Sequence, residues 1–192
     1  MKKFELTNEF ITNMFGTKLF RIRALVEFGD VEAGELGGYV EKESNLGHDD
    51  NAWVYDNAWV YGNARVYGDA QVSGDALVYD NAWVYGDAQV SGDARVCGNA
   101  RVYGDARVCG NGDYAYAHGF GSVNRTTTFF RLKDGGVGVR CGCFYGTLAQ
   151  FRDKIRETHG ESAIAEEYLD LAALMEKRFR RTGNEQKTEE ES

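Results

Sequence analysis

The chain has 192 residues, a formal net charge of −8, 24 glycines and no proline. That length suits one elongated domain or one solenoid with caps, and the turns must be built on Gly, Asn and Asp. The charge divides as about −1 over residues 1–35, −6 over 36–110 and −1 over 111–192, so the acidic middle argues against adhesion to DNA or an anionic membrane.

No stretch approaches the ~20 apolar residues of a membrane helix. Met-Lys-Lys-Phe-Glu-Leu-Thr-Asn-Glu turns polar before any signal-like run, so a cytoplasmic location is expected, with Cys97, Cys109, Cys141 and Cys143 reduced.

In chain order, Thr7 to Phe15 reads as a short helix with Phe10, Ile11, Met14 and Phe15 apolar and Gly16 ending it. Leu19 to Leu25 alternates as a strand, and Gly34 to Tyr39 leads into a first, irregular coil holding Val40 and Leu46. The eight-residue step from Leu46 to Val54 implies a two-residue bulge around His48-Asp49-Asp50.

From Val54 to Val108 a valine stands at every sixth position, with an alanine two residues before each. A strict short period marks a solenoid. Alternate side chains of an extended segment point to opposite sides, so the Ala and Val face inward and the residues flanking Val face outward. The Gly-Asn and Gly-Asp pairs between them are corner chemistry.

This pattern resembles the hexapeptide repeat of left-handed parallel β-helix proteins, in which three hexapeptides close a triangular coil. The resemblance implies a mainly β fold of about four coils, over 36–110; the flanks read as an N-terminal cap over 1–35 and a C-terminal α+β cap over 111–180, and the polar, acidic residues 181–192 as a disordered tail.

An 18-residue coil assigns the exterior to three faces. One stacks Trp53, Gln71, Gln89 and Arg107; the second stacks Trp59, Leu77 and Arg95. The third stacks Arg65, Trp83 and Arg101 beside Tyr67, Tyr85 and Tyr103, and these six are the candidate binding residues. Ladders of like residues can serve only to hold the stack together. Rows of Tyr, Trp and Arg also suit a subunit interface, or a ligand platform on which rings stack and guanidinia meet phosphate.

After Cys109 the period breaks. Residues 122–132 and 137–145 read as two strands joined by a Lys133-Asp134-Gly135-Gly136 turn. Thr147 and Gln150 form a capping box for a helix ending at Thr158-His159-Gly160. A second helix starts at Ser162 with Ile164, Tyr168, Leu171, Met175 and Phe179 as its stripe.

Leu19–Leu25, Leu36-Gly37-Gly38-Tyr39-Val40, Asn51-Ala52-Trp53-Val54 and the Cys141–Phe144 and Thr158–Gly160 segments together resemble the YdcK-like group of small hexapeptide-repeat proteins. That group carries a transferase label and is frequent in phage and prophage genomes. The resemblance implies a homo-oligomer, a trimer as in related folds.

Hexapeptide acyltransferases place a histidine on a loop that leaves the coils, and the coils from Val54 to Val108 contain neither. His48 in the bulge is the one candidate general base, against the reading of a surface histidine. Cys141 and Cys143 would put two thiols on one side of a strand, half of a zinc site, against the reading of small buried hydrophobes. No cofactor is expected.

The reading is thus a non-catalytic oligomeric binding protein of phage origin, sequestering a nucleotide-like host defence signal in the host cytoplasm. The alternatives are an acyl-CoA-dependent acyltransferase and a protein–protein inhibitor of a host enzyme.

Overall fold

A computed structural model describes residues 2–121 and 123–190, with side chains through residue 182. The chain divides into two compact units, Met1–Asn111 and Gly112–Ser192.

The first unit is a parallel β-solenoid of about four turns behind a β cap. The cap strands are β1 (Phe4–Thr12), β2 (Lys18–Ala24) and β3 (Leu36–Val40). The coils supply β4 (Trp53–Val54), β5 (Trp59–Val60), β6 (Arg65–Val66), β7 (Gln71–Val72), β8 (Leu77–Val78), β9 (Trp83–Tyr85), β10 (Gln89–Val90), β11 (Arg95–Val96), β12 (Arg101–Tyr103) and β13 (Arg107–Val108). Every third strand pairs in parallel, giving the ladders β4-β7-β10-β13 and β6-β9-β12, while β5-β8-β11 continues β1-β2-β3 into one six-stranded sheet. Register is 18 residues per coil, as in Trp53 opposite Gln71.

Hydrogen bonding explains why strands of two or three residues suffice. The N–H groups of Trp59, Tyr61 and Asn63 donate to Ala76, Val78 and Asp80 at 2.9, 3.0 and 2.7 Å, so the ladder continues through the corners. All ten Ala–Val pairs from Ala52–Val54 to Ala106–Val108 are buried, so the repeat carries the hydrophobic core. Asp56 and Asp80 replace the usual corner glycine, at φ of 51° and 59°. Their carboxylates accept the Gly74 and Gly98 N–H groups one coil on, at 2.9 and 3.2 Å.

The first coil is irregular as the spacing requires. Val40 pairs with Val60 and Leu46 with Val66, each 20 residues on, whereas Val54 pairs with Val72, 18 on. The two extra residues lie between Leu46 and Val54.

Two N-terminal expectations are corrected. Thr7 to Phe15 is not a helix: residues 4–12 form β1, paired antiparallel to β2, and Asn13 to Thr17 turn between them. The apolar spacing there fits a helix, but the neighbouring strand supplies hydrogen bonds that no isolated turn could match. Trp53 is not exterior: it is fully buried, with Phe28 and Phe4 edge-on at 5.3 and 6.2 Å.

The second unit is an antiparallel sheet in the order β14 (Tyr114–Phe120), β15 (Arg125–Arg131), β16 (Val137–Cys141), β17 (Phe144–Thr147), followed by α1 (Leu148–His159) and α2 (Ala163–Glu190). Phe129, Val139, Phe151, Ile155, Leu171 and Phe179 belong to its core. The turn after Leu132 forms as expected, closed by Leu132 N–H to Gly136 O at 2.9 Å. The Thr147–Gln150 box is present in both directions, and Ser162 Oγ accepts the Ala165 N–H at 3.3 Å. Strand β14 has no counterpart in the sequence reading. Residues 137–145 divide at Gly142 into two strands, which overturns the pairing of Cys141 and Cys143 on one strand. Helix α2 reaches Glu190 and so covers most of the expected tail, whose Glu, Gln, Lys and Arg residues are good helix formers.

Candidate functional site

The β6-β9-β12 ladder brings all six candidate residues together. Trp83 lies opposite Arg65 on one coil and Arg101 on the next, and Tyr85 lies opposite Tyr103. The register follows from the period: three six-residue steps return the chain to the same face. Val66, Val84 and Val102 beneath are fully buried, so the face sits on a packed support.

The side chains organise one another. The guanidinium carbons of Arg65 and Arg101 lie 5.7 and 4.9 Å from the Trp83 ring centroid, one from each neighbouring coil. Tyr67 and Tyr85 stack at 4.9 Å with rings 8° apart, and Tyr85 and Tyr103 follow at 4.5 Å and 32°. Tyr67 is also edge-on to Trp83 at 6.0 Å. The flat sides of Trp83 and Tyr85 are therefore taken by their neighbours, and a ligand meets ring edges, phenol hydroxyls and guanidinium N–H groups. Sequence reasoning located this column but took its rings as open platforms, because a register gives a residue's side and not its ring plane.

The other faces are quieter. Tyr61 and Tyr79 stack at 5.2 Å, and Gln89 donates to Gln71 at 3.3 Å. A hydrogen bond with Cys97, helped by burial, pushes the Tyr79 phenol up to about 12. Asn63, Asn81 and Asn99 form a corner ladder with amide contacts of 3.2 and 3.4 Å. These are interactions of the stack with itself.

His48 sits in the bulge, stacked on Phe4 at 4.4 Å, and its Nδ1 accepts the Lys3 N–H at 3.2 Å. Burial lowers its pKa. The ring thus packs the cap against the first coil, at a hollow lined also by Lys3, Phe28 and Asp50. Lys3 is a residue the sequence reading missed. It is buried, its ammonium donates to Asp50 O at 2.6 Å and Ala52 O at 2.9 Å, and it lies 4.5 Å from the Phe28 ring centroid. No spacing rule flags a lysine near the N-terminus as buried; only the bulge carbonyls make it so.

Cys141 is buried and accepts a hydrogen bond from Thr127 Oγ1 at 3.2 Å, while Cys143 is exposed beyond the turn. Among the described residues no three His, Cys, Asp or Glu side chains gather as a metal site. No described helix is long and apolar enough to cross a membrane.

The family described as YdcK beta solenoid repeat matches residues 58–70, 70–86, 88–100 and 94–110. The coils over residues 58–110 carry YdcK-type β-solenoid repeats. Those matches contain all six residues of the arginine–tyrosine face, so the candidate site is built wholly from YdcK repeat units. The chain is a YdcK-like repeat β-helix protein, and its caps lie outside the matched segments. No curated protein matches the chain.

Proposed function

We propose that this chain is a non-catalytic binding protein, phage-encoded like many proteins that its repeat resembles, and that the β6-β9-β12 face is its binding surface. It acts in the host cytoplasm as a homo-oligomer, a trimer, with the face presented alone or at a subunit seam. The observation that carries this reading is Trp83 held between Arg65 and Arg101 beside a stacked tyrosine column. Building such a column on a packed core fixes donors that would otherwise lose rotamer freedom on binding.

The two guanidinia stand two coils apart, roughly 10 Å at the usual strand spacing. A ligand engaging both carries anionic groups at that separation, which suits a nucleotide-like signal with more than one phosphate. The ring edges and phenol hydroxyls then meet its sugar or base.

The test is a thermal-shift screen of mono- and dinucleotides, with native mass spectrometry of the purified protein to identify any bound small molecule. Stabilisation by a phosphate-bearing ligand, lost in Arg65→Ala/Arg101→Ala and in Tyr85→Ala, supports the proposal. Unchanged interactions in both variants overturn it.

A second reading has its own support: with its ring faces occupied, the column is a flat surface of Tyr, Trp and Arg, the composition of a protein interface. In that reading the face docks on a host enzyme and inhibits it, and a lysate pull-down lost in Tyr85→Ala favours it. An acyltransferase working through His48 would instead show acetyl-CoA turnover that His48→Ala removes.

A further inference from the structure

In the C-terminal unit, the β16–β17 turn, the second half of α1 and the start of α2 enclose a hollow of about 250 Å³. Its size is just below the range of ordinary small-molecule sites, roughly 300–1,000 Å³. The floor is apolar, made by Phe151 and Ile155, each 3% exposed, together with Phe144. Tyr168 closes one side, edge-on to Phe151 at 5.9 Å, with its hydroxyl 3.9 Å from the Cys141 thiol.

The rim has the opposite character. Arg125, Lys154 and His159 stand around the opening, and no carboxylate is among the described lining residues. His159 lies over Tyr168 at 5.9 Å, with 28° between the rings. Lys154 pairs with Glu157 at 2.8 Å on the exposed helix surface, a contact of the weak, exchangeable kind. Arg125 makes no ion pair among the described residues. Its guanidinium lies directly on Gly142, where an added Cβ would collide with Nη1. That glycine is at φ +59°, so the turn both needs it and leaves a shelf for the arginine.

We propose that this hollow binds a small organic acid, its apolar body on Phe151 and Ile155 and its carboxylate at Arg125. A guanidinium fork matches a carboxylate in two-point hydrogen bonding, and the apolar floor strengthens that contact by thinning the water around it. Lys154 adds positive charge beside the same point. The aromatic walls accept a flat ring, and the aliphatic Ile155 accepts a short chain. The site shares no residue with the solenoid face, so its failure and the failure of the proposed function are separate events.

The experiment is isothermal titration of the full chain with benzoate and hexanoate, each against its uncharged amide. The expected result is saturable binding of at least one acid with Kd below about 1 mM, and at least tenfold weaker binding of its amide. Tighter benzoate identifies a flat ligand body, tighter hexanoate a flexible one. Arg125→Gln weakens the acid at least tenfold and leaves the amide unchanged. Arg125 is exposed, so its variant is expected to fold, which melting by circular dichroism checks; if it does not, Lys154→Gln is read in its place. No saturable binding of either acid up to about 10 mM, equal binding of acid and amide, or indifference to the rim variant overturns the proposal.

Discussion

The Arg101 guanidinium lies 4.9 Å from the centroid of the Trp83 ring, directly across from it in the parallel ladder. A cation over an indole at a partly exposed site contributes about 0.5–1 kcal/mol. A double-mutant cycle of Trp83→Ala and Arg101→Ala in urea unfolding is therefore expected to give a coupling of about that size. A coupling indistinguishable from zero would mean that the two side chains are adjacent without attracting.

The coil interior makes opposite demands on its two inward positions. Val84 and Ala88 are both fully buried. Val84→Ala is expected to cost about 2–3 kcal/mol by lost burial and the cavity left behind. Ala88→Val should cost about 1–3 kcal/mol by overpacking. Denaturant midpoints measure both, and a neutral result for either would show that the coil interior is loosely filled.

What was legible in the sequence followed from local periodicity. The valine step gives the coil, the eight-residue gap after Leu46 gives the bulge, and Thr147 with Gln150 gives the start of α1. What was missed depends on partners distant in the chain. The stripe of Phe10, Ile11 and Met14 has helical spacing, and only β2 beside it selects a strand. Trp53 occupies an outward register position, but Phe4 and Phe28 fold over it and take it out of solvent. The six face residues were identified because register is periodic, whereas the self-stacking of their rings depends on side-chain torsions that a period does not encode. The Arg125 hollow gathers residues from five elements, and no spacing rule joins them.

Burial, opposed in part by Asp50, Asp49 and Asp69, lowers the Lys3 ammonium from 10.5 to about 8. The folded chain gives up this proton near pH 8, whereas the unfolded chain holds it to about 10.5. Between those values the unfolded state binds more protons, so raising the pH favours folding, and the destabilisation present below pH 8 is relieved. Relative to Lys3→Met, the wild-type urea midpoint should rise from about pH 8 to about pH 10. Parallel profiles for the two proteins would rule this titration out.

Gly37 is where β3 meets the first coil. A Cβ there would stand 2.5 Å from the Val54 carbonyl oxygen, 2.7 Å from Ile22 Cγ1 and 2.8 Å from Trp53 Cζ2. Since two of these neighbours are fully buried side chains and the third is backbone, relief requires the strand to move. Gly37→Ala is expected to destabilise by about 2 kcal/mol or more. Gly110→Ala, whose Cβ would meet only Asp93 Oδ1 at 3.6 Å, serves as the control and should melt within a degree or two of wild type.

The 18-residue register has an evolutionary consequence for the faces. Position around the rod is a phase, set by residue number modulo 18, so whole-coil gains or losses lengthen or shorten every column and leave its composition aligned. Loss of a single hexapeptide would preserve the valine shaft equally well, yet turn everything beyond it by a third of a revolution. Arg101 and Tyr103 would then leave the column of Trp83 and Tyr85 while the core registered no fault. Selection acting on core burial alone is blind to that slip; only selection on the column itself, through its stacking and what the face does, can hold the phase.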